Sequence, residues 1–213
     1  MNKSKLFILV TIISFIISLA VIMQLPEVVP NHWNMAGEID GYGSRWGLIF
    51  LAVMPFIIYV GMGFTRKIDP KKEKLDKRPE VYEFFRVMTS SVFIVVNAII
   101  LIGTCNPSIN VSTLMMLVLG GMLILMGNYM PRIPHNYFLG FRIPWAIDNE
   151  KVWIYTQRIG GRAMVFSGIV MIIGWILPLP NTRFIAGILM LVSVLYAIFA
   201  SYRYFKKVTE GVE

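Results

Sequence analysis

The chain has 213 residues, of which 56% are hydrophobic and 15% are charged, and its mean hydropathy is +0.67. A soluble domain carries about a quarter charged residues and less than half apolar ones, so this composition excludes an ordinary cytosolic enzyme. A single cysteine excludes an internal disulfide framework and any multi-cysteine metal site. The net charge of +8 would suit a nucleic-acid-binding protein, unless the distribution of the basic residues explains it otherwise.

Six uncharged apolar runs are long enough to cross a membrane. The hydrocarbon core of a bilayer is about 30 Å thick, so a helix needs about 20 apolar residues to span it. A charged side chain at the bilayer centre costs at least about 2.5 kcal/mol, and none of the six runs contains Asp, Glu, Lys, Arg or His. The sequence therefore predicts an all-α fold, a polytopic bundle of six transmembrane helices. The runs are residues 6–25, 46–65, 87–105, 112–130, 163–179 and 184–201.

The first apolar run resembles a secretory signal peptide in one respect, because two lysines precede it. The apolar core of a signal peptide has about 7–15 residues and ends at a small-residue cleavage site. The run in this chain is longer, and it leads into Gln24, Leu25 and Pro26 without such a site. We therefore predict a retained transmembrane helix.

The basic residues are distributed unequally between the loops. With a cytoplasmic N-terminus, 18 of the 20 lysines and arginines lie on the cytoplasmic side, which leaves Arg45 and Arg183 outside. Cytoplasmic loops of membrane proteins carry an excess of lysine and arginine, so this distribution predicts that both termini are cytoplasmic. The charge is thereby explained by membrane topology, and we predict no direct binding of nucleic acid.

The loop at residues 26–45 is predicted to lie outside the cell. Its two prolines favour an extended start and its glycines permit tight turns, so the pattern predicts a structured cap. His32, Glu38 and Asp40 supply the groups of a weak cation site. The same side chains are more commonly used for hydrogen bonds that fold a loop, and the sequence leaves both interpretations open.

The loop at residues 66–86 is strongly basic, with eight lysines and arginines and five acids. Such a loop is typical of a solvated cytoplasmic segment that faces anionic lipids and sets the topology. A docking surface for a cytosolic partner is the alternative, and the spacing of the charges does not decide between the two.

A second cytoplasmic loop, residues 127–162, holds the densest group of polar side chains and is called the signature loop below. Asp148 is predicted to cap a helix that continues into the fifth apolar run. On that helix Trp153, Gln157 and Gly161 share one face, because they are four residues apart. Arginines and amides near two tryptophans predict an ordered pocket at the membrane border, although arginines that anchor to lipid headgroups have the same pattern.

Motifs in the signature loop resemble those of the SdpI family of bacterial membrane proteins. They are Gly127-Asn128, Asn136, Gly140-Phe141-Arg142-Ile143-Pro144-Trp145, Val152-Trp153, and Gln157-Arg158 with Gly161. Residues 26–41 also resemble the short domain of unknown function that commonly precedes this family. Together with the six spans, the motifs cover nearly the whole chain. The chain departs from the family pattern at Phe141, Ile143 and Ala146, where an aliphatic residue and two threonines are more usual.

The resemblance implies a multi-spanning protein of the bacterial cell membrane that gives immunity to a secreted peptide toxin. It also implies a signalling role, in which the protein holds a cytosolic transcriptional repressor at the membrane. The predicted outer loop would then face the toxin, and the two inner loops would face the repressor. The candidate toxin-facing residues are Pro30, His32, Trp33, Asn34, Gly37 and Asp40. The candidate signature residues, with binding or structural roles, are Asn128, Asn136, Gly140, Arg142, Pro144, Trp145, Trp153, Arg158 and Gly161.

Enzymatic activity is not predicted. The two histidines, His32 and His135, are predicted on opposite sides of the membrane, and no run holds an acid, so neither a zinc protease site nor a catalytic triad can be assembled. We predict no catalytic residue, no metal and no cofactor. A small-molecule or peptide transporter is the alternative function, since Ser90, Ser91 and Asn97 could line a polar path. Such residues more commonly join helices through hydrogen bonds.

The predicted organisation has three parts. Residues 1–65 form a two-span unit with a structured outer loop at 26–45, and residues 66–86 form the basic cytoplasmic loop. Residues 87–213 form a four-span unit that contains the signature loop.

Overall fold

The structure is a computed structural model that describes residues 3–34, 36–177 and 181–211. Met35 in the predicted outer loop and Leu179 at the predicted end of the fifth run lie outside the described residues. Within the described ranges the chain forms eight α-helices and a β-hairpin. The helices are α1 (Lys3–Ile22), α2 (Leu48–Ile68), α3 (Lys72–Asp76), α4 (Pro79–Cys105), α5 (Val111–Tyr129), α6 (Pro144–Asp148), α7 (Glu150–Ile176) and α8 (Thr182–Glu210). The strands are β1 (Val28–Trp33) and β2 (Ile39–Ser44).

Six of the described helices are long and apolar enough to cross a membrane, namely α1, α2, α4, α5, α7 and α8. This finding confirms the predicted fold class of a six-helix membrane protein. The longest three have 27 to 29 residues, or about 40 Å, and so exceed a hydrocarbon core of about 30 Å. The orientation of the bundle, with both termini cytoplasmic, stays a prediction.

The helices extend beyond the apolar runs at several ends. The α7 helix begins at Glu150 rather than near residue 163, and α8 continues to Glu210 rather than ending near residue 201. Charged residues mark where a helix leaves the hydrocarbon core, whereas a cap or a backbone turn marks where the helix ends. The apolar runs therefore predict the spans better than they predict the helices.

The chain packs as two compact units. The first contains Met1–Met62 and Arg86–Val118, and the second contains Gly63–Phe85 and Leu119–Glu213. The predicted organisation into a two-span unit, a basic loop and a four-span unit is a separate division of the chain, and it stays a prediction.

The core of the first unit joins the hairpin to the helices. Ile22, Leu25, Val29, Leu48 and Leu101 form a buried cluster, in which β1 contributes Val29. Burying one such aliphatic side chain contributes about 1.5–3 kcal/mol. The hairpin therefore has an apolar attachment to the ends of the neighbouring helices.

The second unit brings α5 and α7 together at two glycine pairs. A Cβ built on Gly161 would lie 2.6 Å from the carbonyl oxygen of Gly127, and a Cβ built on Gly120 would lie 2.9 Å from that of Gly168. Small residues at these positions let the two backbones approach closely, as is common between membrane helices. The Gly127 and Gly161 contact lies where the signature loop leaves α5 and returns along α7.

The predicted outer loop is a two-stranded antiparallel sheet between α1 and α2. Val28 pairs with Ser44 and Val29 with Gly43, and the register shifts on either side of His32. The segment therefore has regular structure, and its role as a cap on the outer side stays a prediction. The sequence does not predict the strands themselves, because proline and glycine are depleted in strands and both occur here.

Candidate functional site: the signature loop and the hairpin

The signature loop begins and ends inside helices. Its last part is the first half of α7, so the predicted continuation of a helix into the fifth span is confirmed. The predicted cap is wrong by one residue, because Asn149 rather than Asp148 caps α7. The side-chain oxygen of Asn149 accepts hydrogen bonds from the backbone N–H groups of Lys151 and Val152. Asp148 cannot take this role since it is the last residue of α6.

Asn136 organises the turn that follows α5. Its Oδ1 accepts hydrogen bonds from the backbone N–H groups of Phe138 (2.8 Å) and Leu139 (2.6 Å). Its Nδ2 donates to the carbonyl oxygens of Pro134 (2.8 Å) and Leu139 (3.0 Å). The residue is 0% exposed, so these bonds replace the water that the amide and the turn would otherwise bind. This candidate site residue therefore holds the loop.

Gln157 and Gly140 form the next attachment. The side chain of Gln157 accepts a 3.0 Å hydrogen bond from the backbone N–H of Phe141 and donates another of 3.0 Å to its carbonyl oxygen. Gly140 has a φ of +95°, and a Cβ at this position would lie 2.6 Å from Gln157 Oε1. Glycine is required here by both the positive φ and the space that the glutamine amide occupies.

Trp153 of α7 packs against the signature loop. It is 1% exposed, and its indole N–H donates a 3.0 Å hydrogen bond to the carbonyl oxygen of Ile133. Its ring lies 5.0 Å from the ring of His135, measured between centroids. Trp153 is therefore unavailable to a partner and contributes to packing.

Asp69, which is not among the residues predicted from the sequence, joins the basic loop to the signature loop. The carboxylate accepts hydrogen bonds from the backbone N–H groups of Lys71 (2.7 Å) and Tyr137 (2.9 Å), although the residue is only 2% exposed. A buried carboxylate is stable only where donors surround it, so both segments must be in place around it. The only available signal in the sequence is an aspartate directly before a proline in a charge-rich loop, which is too common to be specific.

A lysine and a histidine meet beside this carboxylate. Lys71 Nζ lies 2.8 Å from His135 Nε2, and the same nitrogen of His135 lies 2.7 Å from the carbonyl oxygen of Ile147. Burial lowers the pKa of His135, and the positive charge of Lys71 acts in the same direction. Burial also lowers the pKa of Lys71. The arrangement favours a neutral imidazole.

Trp145 attaches the short helix α6, which begins at Pro144, to α8. Its indole N–H donates a 2.9 Å hydrogen bond to Ser201 Oγ, and Ser201 Oγ lies 2.6 Å from Thr156 Oγ1. The Trp145 ring also packs against Tyr202, with 5.3 Å between centroids. Trp145 is half-buried, so it has a structural contact and an accessible edge.

The remaining signature residues include exposed ones. Asn128 donates to the carbonyl oxygen of Ile124 in its own helix, and Arg142 donates a 3.3 Å hydrogen bond to the carbonyl oxygen of Tyr137. Arg158 is exposed on the face of α7 next to the buried Gln157. The signature residues therefore divide into a buried group that fixes the loop and an exposed group that a partner can reach.

The hairpin tip is closed by its own polar side chains. Asn34 Oδ1 accepts hydrogen bonds from the backbone N–H groups of Ala36 (2.9 Å) and Glu38 (3.0 Å), and Asn34 Nδ2 donates to Glu38 Oε2 (2.9 Å). Gly37 has a φ of +90°, which other residues rarely adopt. Ser112 Oγ donates to the carbonyl oxygen of Asn34 at 2.8 Å and so fixes the tip to the start of α5.

Two exposed side chains pair across the hairpin. His32 Nδ1 lies 2.5 Å from Asp40 Oδ1. Glu38 contacts Asn34 instead of these two residues. Pro30 pairs with Tyr42 in the strand register, and Trp33 lies beside Gly103 of α4. No group of three or more metal-ligating side chains is present in the described part of the chain, and these contacts favour the hydrogen-bonding interpretation of the loop.

Polar residues inside the first unit join helices. Ser90 Oγ donates a 2.5 Å hydrogen bond to the carbonyl oxygen of Pro55, and Asn97 Nδ2 donates a 2.6 Å bond to Ser18 Oγ. Both bonds link different helices, which is the more common of the two roles that the sequence allows.

Two family models match the chain. Residues 132–203 match the SdpI/YfhL protein family, and residues 9–58 match a domain of unknown function, DUF1648. Most of the signature loop lies in the region that resembles the SdpI/YfhL family. Both resemblances in the sequence are thereby confirmed. The SdpI/YfhL match covers the loop built around Asn136 together with α6, α7 and most of α8.

The comparison with curated proteins extends over nearly the full length. The chain is 24% identical over 207 residues to immunity protein SdpI of Bacillus subtilis (strain 168), which covers 97% of this chain and 98% of that protein. No solved structure matches the chain significantly. The chain is a multi-pass membrane protein, and residues 132–203 match the SdpI/YfhL family model.

Proposed function

We propose that this protein gives a bacterium immunity to a secreted peptide toxin, and that it acts in the cell membrane by binding rather than by catalysis. The single observation that carries the proposal is the full-length similarity to a protein named for immunity. The two matched regions support it, because they include the hairpin and most of the signature loop. No observation favours the transporter alternative, since Ser90 and Asn97 bond to neighbouring helices.

In this proposal the hairpin is the part that meets the toxin outside the cell. It is held at its base by the buried Val29 and at its tip by Ser112, so its exposed face is fixed before a toxin arrives. A preorganised surface loses little conformational entropy on binding. The exposed residues on this face include Val28, His32 and Tyr42, which offer apolar, aromatic and polar contacts.

A signalling role is the second proposal, and the exposed part of the signature loop supports it. Arg142 is exposed on a loop whose backbone is fixed by Asn136 and Gln157. We infer that this loop and the basic segment at residues 66–86 face the cytoplasm and present a surface to a transcriptional repressor. Charged side chains on a rigid backbone are suited to selecting a partner.

Immunity is tested by expressing the chain in a toxin-sensitive bacterium. Survival in the presence of a secreted peptide toxin is compared with survival of cells that carry an empty vector. An unrelated six-span membrane protein, expressed to the same level, controls for general effects on the envelope. Protection by this chain alone is the expected result, and survival equal to the empty vector for every such toxin would contradict the proposal.

Signalling requires a separate measurement. A fluorescently labelled candidate repressor is imaged in cells that carry the wild-type chain, Arg142→Ala or Arg142→Lys. We expect Arg142→Ala to release the repressor from the membrane at unchanged protein abundance, and Arg142→Lys to retain part of the recruitment. Equal recruitment by all three proteins would contradict the role of this loop while leaving the immunity proposal intact.

A further inference from the structure

An open cavity of about 440 Å³ lies in the second unit, beside the contacts that Trp153 makes with Ile133 and His135. It is formed by α3 and the residues that follow it, by the turn after α5, and by the first turns of α7. Ile133 and Trp153 contribute to its wall. The charged side chains of its lining are Lys74, Lys77, Arg78, Arg132, Arg158 and Glu150.

The lining has five cations and a single carboxylate, and that carboxylate is already paired. Glu150 Oε1 lies 2.6 Å from Lys74 Nζ. The remaining cations are therefore not neutralised by the lining itself. The lining also includes His135, whose pKa is lowered by burial, so the imidazole adds no charge near neutral pH.

The other cations of the lining have hydrogen-bond donors without a partner among the described residues. Within the described ranges, the side chains of Lys77, Arg78 and Arg158 make no hydrogen bond or ion pair. The Arg132 guanidinium packs over the ring of Tyr129, 4.5 Å from its centroid, and its N–H groups make no hydrogen bond to a described residue. Three arginines are thus available to one cavity with their hydrogen-bond donors free.

Chain folding, rather than sequence proximity, brings these charges together. Arg78 precedes α4, Arg132 follows α5, and Arg158 lies on α7. Like charges that lie close together repel one another. A bound anion attracts each of them and so offsets this repulsion. Arginine presents a planar set of N–H donors that matches phosphate oxygens, and a phosphate can accept bonds from several arginines at once.

We propose that this cavity binds a phosphate group, with Arg78, Arg132 and Arg158 as its principal ligands. The group is carried either by an anionic phospholipid or by a soluble phosphate compound, and both present the same oxygens to the arginines. This inference concerns the cavity alone, and it is independent of whether the protein gives immunity.

The test uses the full-length protein in nanodiscs, with two probes. The first is soluble inorganic pyrophosphate, added to phosphatidylcholine nanodiscs, and the second is phosphatidylglycerol incorporated into the nanodiscs. Thermal unfolding is measured for the wild-type protein, Arg158→Gln and Arg132→Gln. The matched control is Arg162→Gln, because Arg162 is exposed on the same helix but does not line the cavity.

A rise in the wild-type melting temperature with either probe is the expected result, and the responsive probe identifies the source of the phosphate. The apparent Kd should increase about tenfold in each cavity variant and remain unchanged in Arg162→Gln. Because the Arg158 side chain makes no bond within the described residues, its loss should not impair folding. The proposal is overturned if neither probe stabilises the wild-type protein, or if Arg162→Gln weakens binding as much as the cavity variants do.

Discussion

The side-chain amide of Gln157 forms two 3.0 Å hydrogen bonds with the backbone of Phe141, one as acceptor and one as donor. An adjacent β-strand would form the same pair of bonds with one residue, and here the glutamine side chain forms them with Phe141. Because Gln157 is 0% exposed and lies on a rigid helix, the loop is fixed from the side of α7. The exposed Arg142, which follows Phe141, is thereby held on a defined backbone.

The first prediction concerns this amide. Gln157→Ala removes both bonds and leaves the backbone N–H and carbonyl of the half-buried Phe141 without this partner, at a cost of at most about 1–3 kcal/mol for each group. We expect faster proteolysis within the signature loop and a lower melting temperature in detergent. Asn128→Ala is the control, since Asn128 is exposed and its side chain, within the described part of the chain, bonds to Ile124 of its own helix. Equal proteolysis of the two variants would show that Gln157 does not hold the loop.

The second prediction concerns the close approach of α5 and α7. Gly161→Ala places a methyl group 2.6 Å from the carbonyl oxygen of Gly127, which forces the two helix backbones apart. Overpacking of this kind costs about 1–3 kcal/mol. The matched control is Gly121→Ala, because a Cβ at Gly121 would have no described atom within 4 Å beyond its chain neighbours and the adjacent backbone of its own helix. We expect Gly161→Ala to have a lower melting temperature than Gly121→Ala. Equal melting temperatures would contradict the close packing of α5 against α7.

The third prediction concerns pH. The pKa of His135 is below its ordinary value of 6.5, so as the pH falls below about 6.5 the unfolded chain takes up a proton that the folded chain does not. The free energy of unfolding should therefore decrease in acid. Proteolysis of the signature loop should be faster at pH 5.5 than at pH 7.5. His135→Gln keeps an amide that can bond Ile147 but cannot titrate, so we expect it to reduce this difference.

A control for the pH measurement is available in the other unit. His32→Gln changes the hairpin and should leave proteolysis of the signature loop as it is in the wild-type protein. If His135→Gln retains the full pH dependence of the wild type, protonation of His135 is not its cause.

The fourth prediction concerns Asp69. Asp69→Ala removes the acceptor for the N–H groups of Lys71 and Tyr137, and a lost hydrogen bond to a charged group costs about 1.5–3 kcal/mol. We expect cleavage in both segments, since the carboxylate bonds to both. Asp76→Ala provides the comparison, because Asp76 is exposed and, among the described residues, pairs with Arg66 alone. If Asp76→Ala has the same effect, Asp69 has no special role in joining the segments.

The spans and the family could be predicted from the sequence because both depend on local or strongly specific patterns. Six charge-free runs are an unmistakable signal, and the motifs around Gly140 and Trp145 have a long and specific spacing. The helical continuation through Trp153 was also predictable from the spacing of its buried face. These features do not require knowledge of which distant residues meet.

The contacts that build the site join residues that are far apart in the sequence, and no local sequence pattern predicts such contacts. Asp69 bonds to Tyr137, and Asn34 accepts from Ser112 across a similar separation. The cap at Asn149 depends on where α6 ends rather than on the preference of either residue for a cap. The basic cavity escapes sequence analysis for the same reason, because its arginines come from three separate segments.

The central claim is that the hairpin carries immunity, and survival of toxin-treated cells tests it most directly. The informative pair is Tyr42→Ala, which changes a side chain of the hairpin that is 65% exposed, and Tyr137→Ala, which changes an exposed side chain of the signature loop. Both proteins are compared with the wild type at equal abundance in the membrane. The account predicts that Tyr42→Ala loses protection while Tyr137→Ala retains it. Equal protection by the two variants would contradict the claim that the hairpin carries immunity.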